Sequence, residues 1–211
     1  MELGKPIDLK IDRRHFDFSK QYAVRDVYDA LVELITNSDD SYHHLYKKQL
    51  RSEDGGPILV EICEQRKGEP SFVIIYDRAE GMTLETMLSK LGSVGIRHSE
   101  AGDRGFMGRG AKYCTALGKM VIESIKDEKY YKCELNTNSQ IIPLRNRDSV
   151  HKEMRERLKI IHGNGTVVKL EITSHSIPHV ESIIRDLPWH YALRKCMKSP
   201  IIRVLVDESS G

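Results

Sequence analysis

The chain has little of what marks a specialised protein class. Its four cysteines, Cys63, Cys114, Cys133 and Cys196, include no C-x-x-C pair, which argues against a disulfide framework or a thiolate metal site and points to reduced, cytoplasmic thiols. No apolar run approaches the length of a bilayer span and no apolar signal core opens the chain, so the expectation is a cytoplasmic protein with no membrane partner. The formal charge is only +2, so nothing demands an anionic polymer, and a client protein or DNA stays open without being indicated. Basic clusters at Lys47-Lys48 and Arg145 to Arg157 read as solvated faces. Nine histidines are present, but neither His43-His44 nor the pair His175 and His179 has a third ligand at metal-binding spacing. Repeats and low-complexity tracts are absent. What is there is ordinary globular material: 211 residues with 39% hydrophobic content can bury one core, so a single domain over 1–211 is expected.

Four segments carry chemistry. The first is Glu33-Leu-Ile-Thr-Asn37-Ser-Asp-Asp40-Ser41 in a helical stretch. At roughly 100° per residue, Asn37 lies about 40° and Asp40 about 20° from Glu33 around the axis. Val24, Val27, Leu31 and Ile35 fall on the opposite side, giving one buried face and one polar stripe. Such a stripe can hold a hydrated magnesium ion and polarise a water, although an acidic helix face is more often simply solvated.

The second segment is Phe72 to Tyr76, a compact apolar run that delivers Asp77-Arg-Ala-Glu-Gly81-Met82 at its end. A carboxylate there can accept a hydrogen bond from an amino group, or it can merely cap a turn. The third runs from Gly92 through Gly105-Phe-Met-Gly108-Arg-Gly110-Ala-Lys112. Its glycines let backbone amides face a phosphate at a helix start, and a flexible loop is the plain alternative. The spacing matches neither a Rossmann fingerprint nor a P-loop. The fourth is Gly163-Asn-Gly165-Thr166 opening a strand to Ile172, where Thr166 can bond a ligand or serve β propensity alone.

In this order and spacing the four segments resemble the GHKL, or Bergerat-fold, ATPases: gyrase, the ninety-kilodalton heat-shock chaperone, histidine kinases, and MutL with its MORC relatives. The resemblance extends from about Val24 to Ile172. The helix motif is similar to that of the chaperone branch, and Gly108-Arg-Gly110-Ala-Lys112 to that of MutL and MORC. It implies ATP with Mg2+ as cofactors. Glu33 would be the general base, Asn37 the magnesium ligand, and Asp40 would orient groups beside the adenine base. Asp77 would accept from the adenine amino group, helped by Thr166 through water, with Gly81 and Met82 against the ring. Residues 83–110 would be a lid whose Gly105, Gly108 and Gly110 amides face the phosphates, with Lys112 adding a cation. One departure is Ala79, where the family carries a glycine in its Asp-x-Gly-x-Gly motif.

The resemblance implies slow ATP hydrolysis driving lid closure and dimerisation with a second copy. The alternatives are a histidine kinase-type domain and a nucleotide-sensing scaffold that does not hydrolyse. Asn-x-x-Asp spacing favours hydrolysis over the kinases' Asn-x-x-x-Asn. A strand opening near Ile201 suggests the N-terminal part of a longer protein.

The apolar runs predict strands over Ile58–Glu64, Phe72–Asp77, Lys119–Lys126, Tyr130–Leu135 and Thr166–Ile172, largely antiparallel. Helices are expected near Leu84, near Arg109 and between His179 and Arg194, and the first helix extends toward Leu50. Polar residues from Gln140 to Asp148 read as a loop. The class is therefore α+β: a two-layer α/β sandwich with a mixed, mostly antiparallel sheet and helices on one face.

Overall fold

A computed structural model of the chain describes residues 4, 7–8, 22–64, 69–92, 110–173, 177–196 and 198–205. Helix α1 (Val27–Lys47) begins where Asp26, in extended backbone, accepts a hydrogen bond from the Asp29 amide at 3.0 Å, an N-cap that satisfies one of the orphan donors of the first turn. Its apolar stripe behaves as patterned: Val27, Leu31 and Ile35 are fully buried, and Val24 just before the helix is buried as well. Each such side chain contributes roughly 1.5–3 kcal/mol of burial. The helix stops at Lys47, short of Leu50, which is exposed.

The strands are β1 (Ile7–Asp8), β2 (Leu59–Cys63), β3 (Ser71–Asp77), β4 (Met120–Lys126), β5 (Lys129–Leu135), β6 (Gln140–Ser149), β7 (Gly165–Ile172) and β8 (Ile201–Leu205). They form one sheet in the order β1-β6-β5-β4-β7-β3-β2-β8. Every pairing is antiparallel except that of β8 with β2. Antiparallel strands with one face packed alternate inward and outward residues. Accordingly Val73 and Ile75 of β3, Met120 and Ile122 of β4, and Leu170 and Ile172 of β7 join the main core. That core also takes in α1, α2 (Leu84–Leu91), α3 (Gly110–Tyr113) and α5 (Val180–Asp186). The class is α+β, a two-layer sandwich. A smaller cluster on the opposite face joins Tyr76, Ile125, Tyr130 and Val167 to Leu158 of the short helix α4 (Lys152–Leu158), so that one helix packs apart from the rest.

Three sequence expectations need correction. Gln140 to Asp148 is not a loop but most of β6, paired with β5 through two register shifts. Arg147 there sits at φ +63°, so the strand is bulged and its alternation is broken beyond Leu144, which hides it from pattern reading. The basic residues 155 and 157 are not idle solvated charges. Arg157 grips Glu123 with two bonds of 2.9 and 2.7 Å, and Arg155 reaches Glu128 and the carbonyls of Ile160 and Gly163. Finally, the helix expected near Arg109 is short: α3 is a single four-residue turn followed by a 3₁₀ turn over Cys114–Ala116.

Candidate functional site

The sheet brings three polar side chains into one inward-facing row. In register, Ser124 of β4 lies opposite Thr166 of β7, and Thr166 lies opposite Asp77 of β3. All three are buried, and Ser124 is fully so. Polar groups in such a row must find partners or cost 1–3 kcal/mol each, roughly. They do. Asp77 Oδ1 accepts from the Ala79 amide at 3.0 Å and the Thr166 amide at 3.2 Å, and Oδ2 accepts from Ser38 Oγ of α1 at 3.3 Å. Burial nevertheless outweighs these bonds and lifts the Asp77 carboxyl to about 6, since desolvation penalises the charged form more than three donors offset. The Ser38 contact is long, and it leaves Oδ2 with lone-pair capacity for an incoming donor.

The loop from Asp77 to Met82 is held amide by amide. The Arg78 amide donates to Tyr42 Oη (2.8 Å), the Glu80 amide to Ser41 Oγ (3.3 Å) and the Met82 amide to Ser124 Oγ (2.7 Å). Gly81 adopts φ +66°, and a Cβ there would overlap the Ile125 carbonyl, so glycine is required on both grounds. Ala79 is absent from the positive-φ residues and is buried. Its methyl group in place of the expected glycine therefore imposes no backbone strain. Met82 is half-buried against the main core.

On α1 the stripe is graded in exposure: Glu33 is half-buried, Asn37 exposed and Asp40 buried. The Glu33 carboxyl is raised above its ordinary value, first by desolvation and then by Asp29 and Asp40. Part of that desolvation comes from Gly110, where a Cβ would occupy the place of the Glu33 carboxylate. Two residues on, Lys112 is buried, and burial lowers its ammonium to about 8. Because α3 has only one turn, its dipole is small; positive potential here would come from Lys112 and backbone amides.

Of the segment expected to form a lid, 83–110, the described residues are 83–92 and Gly110. Thr83 caps α2 by accepting from the Thr86 amide at 3.2 Å, and Leu84, Met87 and Leu91 are buried, so this stretch belongs to the packed layer. Gly105 and Gly108 lie outside the described residues. Gly110 is half-buried beside Glu33.

Thus Asp77, Thr166, Gly81 and Met82 share one neighbourhood, with α1 supplying Ser38, Ser41 and Tyr42, and Glu33 and Gly110 share another. Sequence reading gave no roles to Ser38, Ser41, Tyr42 or Ser124. The available signal was a hydroxyl at an inward position, Ser124 following Met120 and Ile122 in β4. Among the described residues no group of three His, Cys, Asp or Glu gathers to cage a metal. The exposed Asn37 carboxamide is a hard oxygen donor, of the kind magnesium shares with phosphate oxygens and water. His43 instead bonds Asp54 at 2.8 Å, and Lys48 bonds Glu80 at 2.8 Å. No helix among the described residues is long and apolar enough to cross a membrane. No family model matches the chain, and no curated protein matches it.

Proposed function

We propose that this chain is a GHKL-type domain that binds ATP with Mg2+ and hydrolyses it slowly. The observation that carries the reading is the buried Asp77. Its carboxylate is fixed by the Ala79 and Thr166 amides and by Ser38 of the Glu33 to Ser41 helix, so separate motifs of the resemblance converge on one acceptor. An acceptor so fixed selects an amino group, which adenine offers where guanine has a carbonyl.

Glu33 is the general base in this reading. Half-buried against Gly110 and raised in pKa, it is a better proton acceptor than a solvated glutamate and takes the proton of the attacking water. Bound magnesium would neutralise phosphate charge, with Asn37 as its protein ligand, and Asp40 would orient groups beside the adenine. Lys112, already desolvated, sits two residues beyond Gly110 and would balance anionic charge. This desolvated base favours the ATPase over the kinase and scaffold alternatives, and dimerisation on ATP binding belongs to the same proposal.

Melting scans with Mg-ATP and Mg-GTP test it. A ligand at about 100 times its Kd stabilises a fold by roughly 2.7 kcal/mol, so ATP should raise the Tm clearly and GTP much less. Equal shifts, or none, would remove the adenine assignment.

A further inference from the structure

Ser124 stands outside every motif of the resemblance, on β4, yet it touches both of the chain segments that would flank an adenine at Asp77. Its hydroxyl accepts from the Met82 amide at 2.7 Å and donates to the Gly165 carbonyl at 2.8 Å. Met82 closes the loop that begins at Asp77, and Gly165 immediately precedes Thr166. One buried hydroxyl therefore ties the end of the loop that begins at Asp77 to the start of β7. We propose that Ser124 is a positioning residue that fixes the Met82 wall relative to Asp77 and Thr166 and so sets the selectivity for adenine over guanine; the proposal rests on the nucleotide reading above.

The physical case has three parts. First, Gly81, next to Met82, adopts φ +66°, a region open to glycine with little penalty but also one from which glycine readily departs. Something must hold it. Second, the bond to Ser124 is the shortest of the side-chain bonds to the loop amides, against 2.8 Å from Tyr42, 3.0 Å from Asp77 and 3.3 Å from Ser41. Third, the hydroxyl uses its one proton on Gly165 while accepting from Met82, so its orientation is fixed at both ends. Without it, the Met82 amide and the Gly165 carbonyl each lose a buried partner, and a small loop shift toward water is the cheapest relief. Such a shift widens the slot beside the ring, where a purine is discriminated by the placement of its edge against Asp77.

The test combines two readouts on the full chain. In the unliganded protein, Ser124→Ala should speed hydrogen exchange of the Met82 amide by about tenfold or more. By calorimetric titration it should weaken Mg-ATP by about tenfold, with a smaller change for Mg-GTP, so that the ATP to GTP ratio narrows. Ser124→Cys, which keeps the shape with a weaker hydrogen-bonding group, should fall between, and it carries the test if the alanine variant does not fold. Leu158→Ala, in the cluster on the opposite face, provides a destabilised control whose ratio should match wild type. Faster exchange with an unchanged ratio would make Ser124 structural only and overturn the proposal, as would unchanged exchange. A wild-type chain that binds neither nucleotide overturns the adenine reading, and selectivity with it, while exchange still decides whether Ser124 clamps the loop.

Discussion

The two ends of the candidate site are built on opposite principles. Around Asp77, the loop amides of Arg78, Ala79, Glu80 and Met82 each meet a side-chain acceptor, and Ser124, Thr166 and Asp77 are buried. Around Glu33, the carboxyl is partly desolvated and raised further by Asp29 and Asp40, and Asn37 faces out. A surface that recognises a flat base gains from rigidity, because rejection of the wrong base depends on leaving its groups unpaired. Where a water must be activated, tuned proton affinity matters more than rigidity. The contrast predicts that substitutions around Asp77 change affinity and selectivity, while those at Glu33 and Gly110 change rate.

The largest expected effect is at the open end. Glu33→Gln should lower ATP turnover by about 10² to 10⁴ while leaving the Kd for Mg-ATP near wild type. Steady-state hydrolysis beside calorimetry checks it, and unchanged turnover would place the base elsewhere. Gly110→Ala should follow the same pattern, since the new methyl displaces the Glu33 carboxylate. Next comes Asp77→Asn, which turns an acceptor into a group that can also donate. It should weaken ATP by about 10² with the unliganded fold retained, as the asparagine oxygen can still accept from Ala79 and Thr166. Thermal melts and titrations separate the two effects.

Smaller is Asn37→Ala. This change should reduce the magnesium-dependent part of ATP binding by about tenfold, visible as the gap between titrations with and without chelator closing. The smallest and most diagnostic is pH. With Asp77 raised to about 6 from an ordinary 3.8, the folded state holds its proton more tightly than the unfolded chain does. The Asp77 contribution to stability is therefore lost as pH rises from about 4 to 6 and recovered as pH falls back through that window. ATP binding should run the other way, weakening below about pH 6 as the acceptor charge disappears. In Asp77→Asn both dependences should flatten. A wild-type affinity independent of pH between 5 and 7 would mean that Asp77 does not face the ligand.

The contrast also tracks what a sequence can reveal. Strands β3, β4, β5 and β7 were legible because their apolar residues alternate or run together, and α1 because Val27, Leu31 and Ile35 keep one face. Asp77 stood out as a carboxylate at a strand end. Hidden were the parts whose meaning lies in partners far along the chain: Ser124 finds Met82 and Gly165, and Tyr42 finds Pro57 and Arg78. Local pattern carries no record of such pairings. β6 was missed for a related reason. Beyond Leu144 it turns to Arg145-Asn-Arg-Asp148, and only the bulged pairing with β5 holds that end in the sheet. α4 is equally faint, with Met154 and Leu158 as its apolar residues and Lys159 at φ +56° closing it where a glycine would be the usual signal.

Helix α1 carries both ends of the site on one rod. From Glu33 to Ser41 is eight residues, about 12 Å at an α-helical rise of about 1.5 Å per residue, a length comparable to the reach from a purine ring to the last phosphate of a nucleoside triphosphate. In the proposed ATPase reading, the spacing between recognition and chemistry is thus a fixed gauge written into residue count. Leu31, Leu34 and Ile35, buried along its back, lock the rod to the core, so Glu33 and Ser41 cannot drift apart without unseating it.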